Sequence, residues 1–216
     1  MTAIITKPIG ENIVKLNSVS WATFNHLLDE LGNKRSQRLT YYNHILEIMS
    51  PLGIHENNNR FIESLIFVIA DELGLNLKKF GSLTLKSPQF QQAVEPDSCY
   101  YLQNEPKVRN KQQIDLTINP PPDLVLEIDI TSGSLHKLPI YANLGVPEIW
   151  RYHAEKLTVF IFEKETNNYQ ECDQSFVFPF LDLSLIPELI QQSSIERETA
   201  VLRAFRKYIR DSQKNP

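Results

Sequence analysis

The stretch "PPPDLVLEIDITSGSLHKLPIY", residues 120–141, constrains the fold more than any other part of the chain. Its proline triplet suppresses regular structure before Asp123, and from Asp123 onward the residues alternate at a period of two. Leu124, Leu126, Ile128 and Ile130 fall on one side, while Asp123, Val125, Glu127 and Asp129 fall on the other. Such a strand has one core face and one acidic face. Two readings fit that face. An antiparallel or edge strand turns it to water; alternatively its carboxylates hold a hard cation, because Mg²⁺ takes oxygen ligands and is usually held by one or two carboxylates.

Spacing narrows the second reading. Asp123 and Glu127 are four apart on one strand, so their Cα atoms lie about 13 Å apart, too far to share one ion. A second acid must come from a neighbouring strand, only about 5 Å away. Asp97 in "VEPDSCYYL" is the candidate, since it follows Pro96 at the start of a predicted strand.

The remaining elements define the frame. "SWATFNHLLDELG" predicts a short amphipathic helix capped by Ser20 and stopped by Gly32. "RLTYYNHILEIMSP" reads as a hairpin turning at Asn43-His44. "HENNNRFIESLIFVIADELG" carries a wide apolar stripe, Phe61, Ile62, Leu65, Ile66, Ile69 and Leu73, and predicts the principal core helix. "LNLKKF", "SLTLKSP" and "PDSCYYL" read as strands, and "QNEPKVRNKQQ" as a loop or short helix. "LPIYANLG" is a short helix with Pro139 in its first turn, and "EIWRYH" and "KLTVFIFEK" are strands. The last segment predicts two helices, the second capped by a Ser193/Glu196 box and striped with Val201, Leu202, Phe205 and Ile209. Strands interrupted by one crossover helix suggest a mixed sheet with helices on its faces.

With 216 residues, 42% of them hydrophobic, the chain suits one domain with extensions. A net charge of −4 argues against a broad polyanion-binding surface while leaving room for a local basic groove. Cys99 and Cys172 stand in no zinc spacing and read as reduced thiols. His26, His44, His136 and His153 likewise lack metal-ligand spacing. No signal peptide and no run of about 18 apolar residues is visible, so a cytoplasmic protein without a membrane partner is expected. Dinucleotide, P-loop and hydrolase-elbow motifs are absent.

From about Arg38 to Arg210 the sequence resembles the Uma-type endonucleases of the PD-(D/E)XK, restriction endonuclease-like superfamily. "ILEIMSPLGIHE", "GSLTLKS", "VEPDSCYYL", residues 120–152 and "VLRAFRKYIR" carry the resemblance by their order and spacing. It implies an α/β (α+β) fold with a restriction endonuclease-like mixed β-sheet core flanked by helices. Residues 1–37 are then an N-terminal extension with a short helix, 38–192 the nuclease-like domain, and 193–216 a C-terminal helix packed on it. It also implies a Mg²⁺-dependent (or Mn²⁺-dependent) endonuclease with DNA as substrate; a homodimer is compatible with it. Asp97 matches the Asp of the PD motif and Glu127 the acid of (D/E)XK; both would hold the metal, with the Ile128 carbonyl completing the shell.

The chain departs from that pattern at one point. Asp129 stands where the general motif has lysine, and the matching lysine is Lys137 in the following helix, whose stem would reach back to the site. Asp129 would then position Lys137 or add a ligand. His55 and Glu56, at the start of the core helix, are accessory candidates; a solvated helix N-terminus, where Glu56 suits the dipole, explains them equally well. The substituted lysine and the acidic net charge keep an alternative open: a non-catalytic nuclease-fold module for DNA binding or assembly.

Overall fold

The computed structural model describes residues 12–32, 35–81, 83–130 and 133–213; the outermost parts of the expected extension and C-terminal helix, residues 1–11 and 214–216, lie outside them. Strand β1 (Asn12–Leu16), helix α1 (Trp21–Leu31), β2 (Arg38–Tyr42) and β3 (Ile45–Ser50) lead into α2 (Gly53–Glu72). Then come β4 (Lys78–Phe80), β5 (Leu85–Ser87), β6 (Gln92–Val94), β7 (Ser98–Tyr101), the short α3 (Glu105–Val108) and β8 (Leu124–Asp129). A 3-10 turn at Ser134–Lys137 opens α4 (Leu138–Leu144), followed by β9 (Glu148–His153), β10 (Lys156–Glu163), β11 (Asn168–Cys172), α5 (Leu185–Ile195) and α6 (Glu198–Ser212).

The strands form two sheets. A six-stranded sheet has the order β11-β10-β9-β8-β7-β4 and is mixed, because β8 and β9 run parallel through the α4 crossover. The second has the order β1-β3-β2-β6-β5 and pairs antiparallel. The fold class is therefore the expected one, a mixed-sheet α+β core flanked by helices. Beyond that expectation, the structure adds β11 at the edge of the six-stranded sheet, and β1 and β6, which complete the second sheet; β1 pairs with β3 from Asn12↔Ser50 to Leu16↔Leu46.

Local chemistry fixes the elements. Ser20 Oγ accepts the Thr23 N–H (3.0 Å) and caps α1. Asn43 and His44 both take left-handed backbone (φ 49° and 61°), the conformation a two-residue hairpin needs to match strand twist. At its far end α2 stops where Gly74 turns left-handed (φ 62°) and Leu75 N–H bonds back to Ala70 O (2.8 Å). The expected Ser193/Glu196 box is a correction: Ser193 lies inside α5, where its hydroxyl donates to Ile190 O (2.8 Å), and α6 starts at Glu198 with no side-chain cap. A serine bonded to its own helix is unavailable as a cap for the next one.

Strand β8 is buried on both faces. Leu124, Leu126 and Ile128 pack with Ile62 and Leu65 of α2 and Phe205 of α6, whereas Val125 faces Ile140 and Tyr141 of α4 and Ile149 of β9. Each such side chain contributes about 1.5–3 kcal/mol by leaving water. The water-facing reading of the acidic side is thus overturned: α4 and the second sheet cover it. Among the described residues no helix is long and apolar enough to cross a membrane.

Candidate active site

Pairing of Ser98 with Leu126 in the β7–β8 ladder sets Asp97, one residue earlier, opposite Glu127. Both acids are buried. Asp97 Oδ2 accepts the Ile128 N–H (2.8 Å) and lies 3.2 Å from His55 Nε2. Its other oxygen, Oδ1, stands 3.8 Å from Arg38 Nε and has no hydrogen-bond partner among the described residues. Asn59 of α2 donates to the Asp97 carbonyl (3.3 Å) and accepts from Ser98 Oγ (3.0 Å), so the core helix fixes the acid's backbone.

Glu127 is held from the crossover. Lys137 Nζ donates to its Oε2 (2.8 Å), and the Tyr141 hydroxyl donates to its Oε1. Lys137 ends the 3-10 turn and Tyr141 lies one helical turn further, so one face of the crossover serves both carboxylate oxygens. Asp129 anchors that turn: its Oδ2 accepts from Ser134 N (2.9 Å), Ser134 Oγ (3.1 Å) and the Arg151 guanidinium. Asp123 does different work, accepting from Leu102 N (2.7 Å), Asn104 N (3.0 Å) and Asn104 Nδ2 (2.7 Å) to tie down a loop.

Burial and charge pull the two central acids apart. Burial alone would raise Asp97, but its contact with His55, the Lys137 charge and the Ile128 N–H outweigh it and hold the carboxyl below its usual range. For Glu127 burial wins, and the adjacent Asp97 charge adds to it against the pull of Lys137, lifting the carboxyl to about 7. Although burial opposes its charge, Lys137 is raised by both acids and stays an ammonium.

A pocket of about 20 Å³ lies where the second sheet meets β8, lined by Arg38, Glu47, Glu127, Asp129, His136 and Lys137 among others. It has room for about one water. Glu47 of β3 closes the rim, pairing with Lys15 (3.0 Å) and with His136 Nε2 (3.4 Å). Despite burial, these partners depress Glu47 to about 2, and Glu47 in turn raises His136.

The structure thus brings Asp97, Glu127, Lys137, His55 and Asp129 to one place, with Ile128 joined through its amide. Glu56 instead accepts from Arg38 Nη2 (3.2 Å), one step removed from the acids. Sequence reasoning missed Arg38, Glu47, His136 and Tyr141. Tyr141 carried a signal in its four-residue offset from Lys137 and His136 in preceding that lysine in the same turn; Arg38 and Glu47 reach the site by sheet pairing across long separations. Arg206 and Arg210 of the basic α6 face are engaged by Asp71 and Glu72. Among the described residues no group of three or more His, Cys, Asp or Glu side chains is gathered as a metal cage. Asp97 Oδ1, which has the Arg38 charge at 3.8 Å but no hydrogen-bond donor among the described residues, nevertheless suits a hard cation, since a buried carboxylate oxygen without a donor is costly to leave unsatisfied.

A family model described as Uma2, "Putative restriction endonuclease", matches residues 21–197. Among solved structures the chain is similar to a "putative nuclease belonging to DUF820" from Anabaena variabilis ATCC 29413, with a TM-score of 0.54 and 15% identity over 80% of this chain and 99% of that one. The likeness lies in the fold. No curated protein matches.

Proposed function

The chain belongs to the Uma2 family of restriction endonuclease-like proteins, and from that premise we propose that it is a cytoplasmic, Mg²⁺-dependent endonuclease that hydrolyses DNA phosphodiester bonds. The observation that carries this reading is the approach of Asp97 to Glu127 across the β7–β8 pair, with Lys137 bonded to Glu127 where both line one small pocket. Asp97, Glu127 and the Ile128 carbonyl would hold Mg²⁺ (or Mn²⁺), which when bound lowers the pKa of a bound water and neutralises charge on the phosphate.

The chain's own residues supply the rest. Ile128 N–H and His55 hold one Asp97 oxygen and leave the other for a ligand. Tyr141 holds Glu127 by one oxygen, so Lys137 can leave the other and turn its ammonium to a phosphate oxygen without freeing the acid. Asp129 limits that movement by pinning the turn at Ser134. The lysine missing from the strand is thereby replaced in function from the crossover.

Purified protein with Mg²⁺ or Mn²⁺, tested on plasmid, linear and single-stranded DNA, should cleave at least one, and Glu127→Ala should abolish cleavage. Intact DNA throughout a broad protein titration counts against the enzyme. One observation favours a second reading, a non-catalytic nuclease-fold module that binds DNA or assembles: Lys137 already pairs with Glu127 beside a pocket of only about 20 Å³. A salt-dependent DNA complex without cleavage would support that module.

A further inference from the structure

A groove of about 700 Å³ adjoins the catalytic pocket, running between the first turns of α2, the ends of β8 and β9, and the α5–α6 corner. Asp129, the last residue of β8, lines both cavities, so the groove opens beside the pocket around the end of that strand, on the side away from the second sheet. Its floor is apolar, formed by Phe61, Tyr152 and Ile190. Its α2 wall carries Asn57, Asn58 and Arg60. Asparagine is a poor helix former, and three stand in succession at 57–59. Asn59 is accounted for by Asp97 and Ser98. The side chains of Asn57, Asn58 and Arg60 have no hydrogen-bond or ion-pair partner among the described residues.

Resting on the nuclease reading, we propose that this groove takes an unpaired nucleotide next to the scissile phosphate, so that the substrate is single-stranded or locally opened DNA. Amides present a donor and an acceptor side by side, the pattern that reads a base edge in pairs. Arg60 supplies a cation for the adjoining phosphate, and the apolar floor takes a base face. The volume lies in the range that encloses a small ligand, roughly 300–1,000 Å³. Helices wall the groove on two sides, so a base enters only after leaving its stack. The groove's carboxylates do not cancel Arg60: Asp129 is engaged by Ser134 and Arg151, and Glu155 by Gln191 (3.3 Å). Glu198 stands in the first turn of α6, where the helix dipole offsets it.

The test is fluorescence anisotropy with a short labelled single-stranded oligodeoxynucleotide and its duplex, in Ca²⁺ and again in EDTA. The single strand should bind more tightly than the duplex. Asn57→Ala with Asn58→Ala should weaken single-strand binding about tenfold, and Arg60→Gln should flatten the salt dependence by about one unit of slope. Hydrolysis of bis(p-nitrophenyl) phosphate, too small to span the groove, should be unchanged in these variants, and thermal unfolding should match the wild type. Duplex bound more tightly, or groove variants that bind single strands like the wild type, would overturn the proposal. If nothing is hydrolysed yet the variants still lose the oligonucleotide, the nuclease reading fails and the groove stands.

Discussion

Replacing Lys137 with methionine tests the electrostatic core of the site. The side chain is 7% exposed and its ammonium bonds Glu127 at 2.8 Å. Removing one partner of a buried ion pair costs about 3–5 kcal/mol when the other must stay charged. Glu127 has an escape, because burial and Asp97 have already raised its carboxyl from 4.5 to about 7. A carboxyl raised in the folded state binds its proton more tightly there than in the unfolded chain. Its share of stability is therefore whole below the unfolded value and is lost as pH rises through the folded one. In the wild type that loss ends near pH 7. In Lys137→Met the folded value climbs further, and the loss continues above pH 7 at about 1.4 kcal/mol per pH unit. The variant's destabilisation should thus be about 1.4 kcal/mol larger at pH 8 than at pH 7. Urea unfolding followed by tryptophan fluorescence reads it, since Trp150 is fully buried in the core. A destabilisation that is constant from pH 6 to 8, or shrinks with pH, would refute the coupling of Lys137 to Glu127.

Asp129→Ala releases Ser134 and Arg151 together and should destabilise by about 3 kcal/mol in the same assay, with a larger loss in kcat than in KM for DNA cleavage. Glu47→Gln removes the carboxylate that raises His136, so the imidazole pKa followed by NMR should fall. Because the raised His136 contributes stability below its unfolded value and loses it as pH rises through the folded one, a His136-linked decline should disappear in that variant. Phe205→Ala hollows the contact between α6, α2 and β8 and should cost about 3–5 kcal/mol in urea unfolding without changing Mn²⁺ affinity.

The parts of the fold legible in the sequence are those that local chemistry decides. Ser20, Asn43-His44 and the α2 stripe each encode their element within a few residues. The approach of Asp97 to Glu127 was legible too, because strand rise excludes Asp123 as a partner and a neighbouring strand is the nearest source of a second acid. What could not be read is what other chain segments impose. A three-residue strand such as β6, Gln92–Val94, is too short to show alternation, so the second sheet stayed hidden. With it went Arg38 and Glu47, which reach the pocket only because β2 and β3 are placed there by pairing. The two-sided burial of β8 was invisible for the same reason, since its alternation fits an exposed face equally well. Ser193 failed as a cap because a Ser-x-x-Glu spacing does not show which helix the serine belongs to.

The crossover has a consequence for the order in which charge is buried. Lys137 and Glu127 are 10 residues apart, while the Asp97 contact to Ile128 spans 31. Loop closure costs more as the loop lengthens, by roughly 0.6 kcal/mol per doubling, so the cation reaches Glu127 more cheaply than the second acid does. Were Asp97 to dock first, two carboxylates would meet in a drying interior with nothing between them. With the short loop closed first, Asp97 arrives at a partner already neutralised. The helical detour that moves the lysine off the strand therefore also gives the growing core a route on which like charges never meet unscreened.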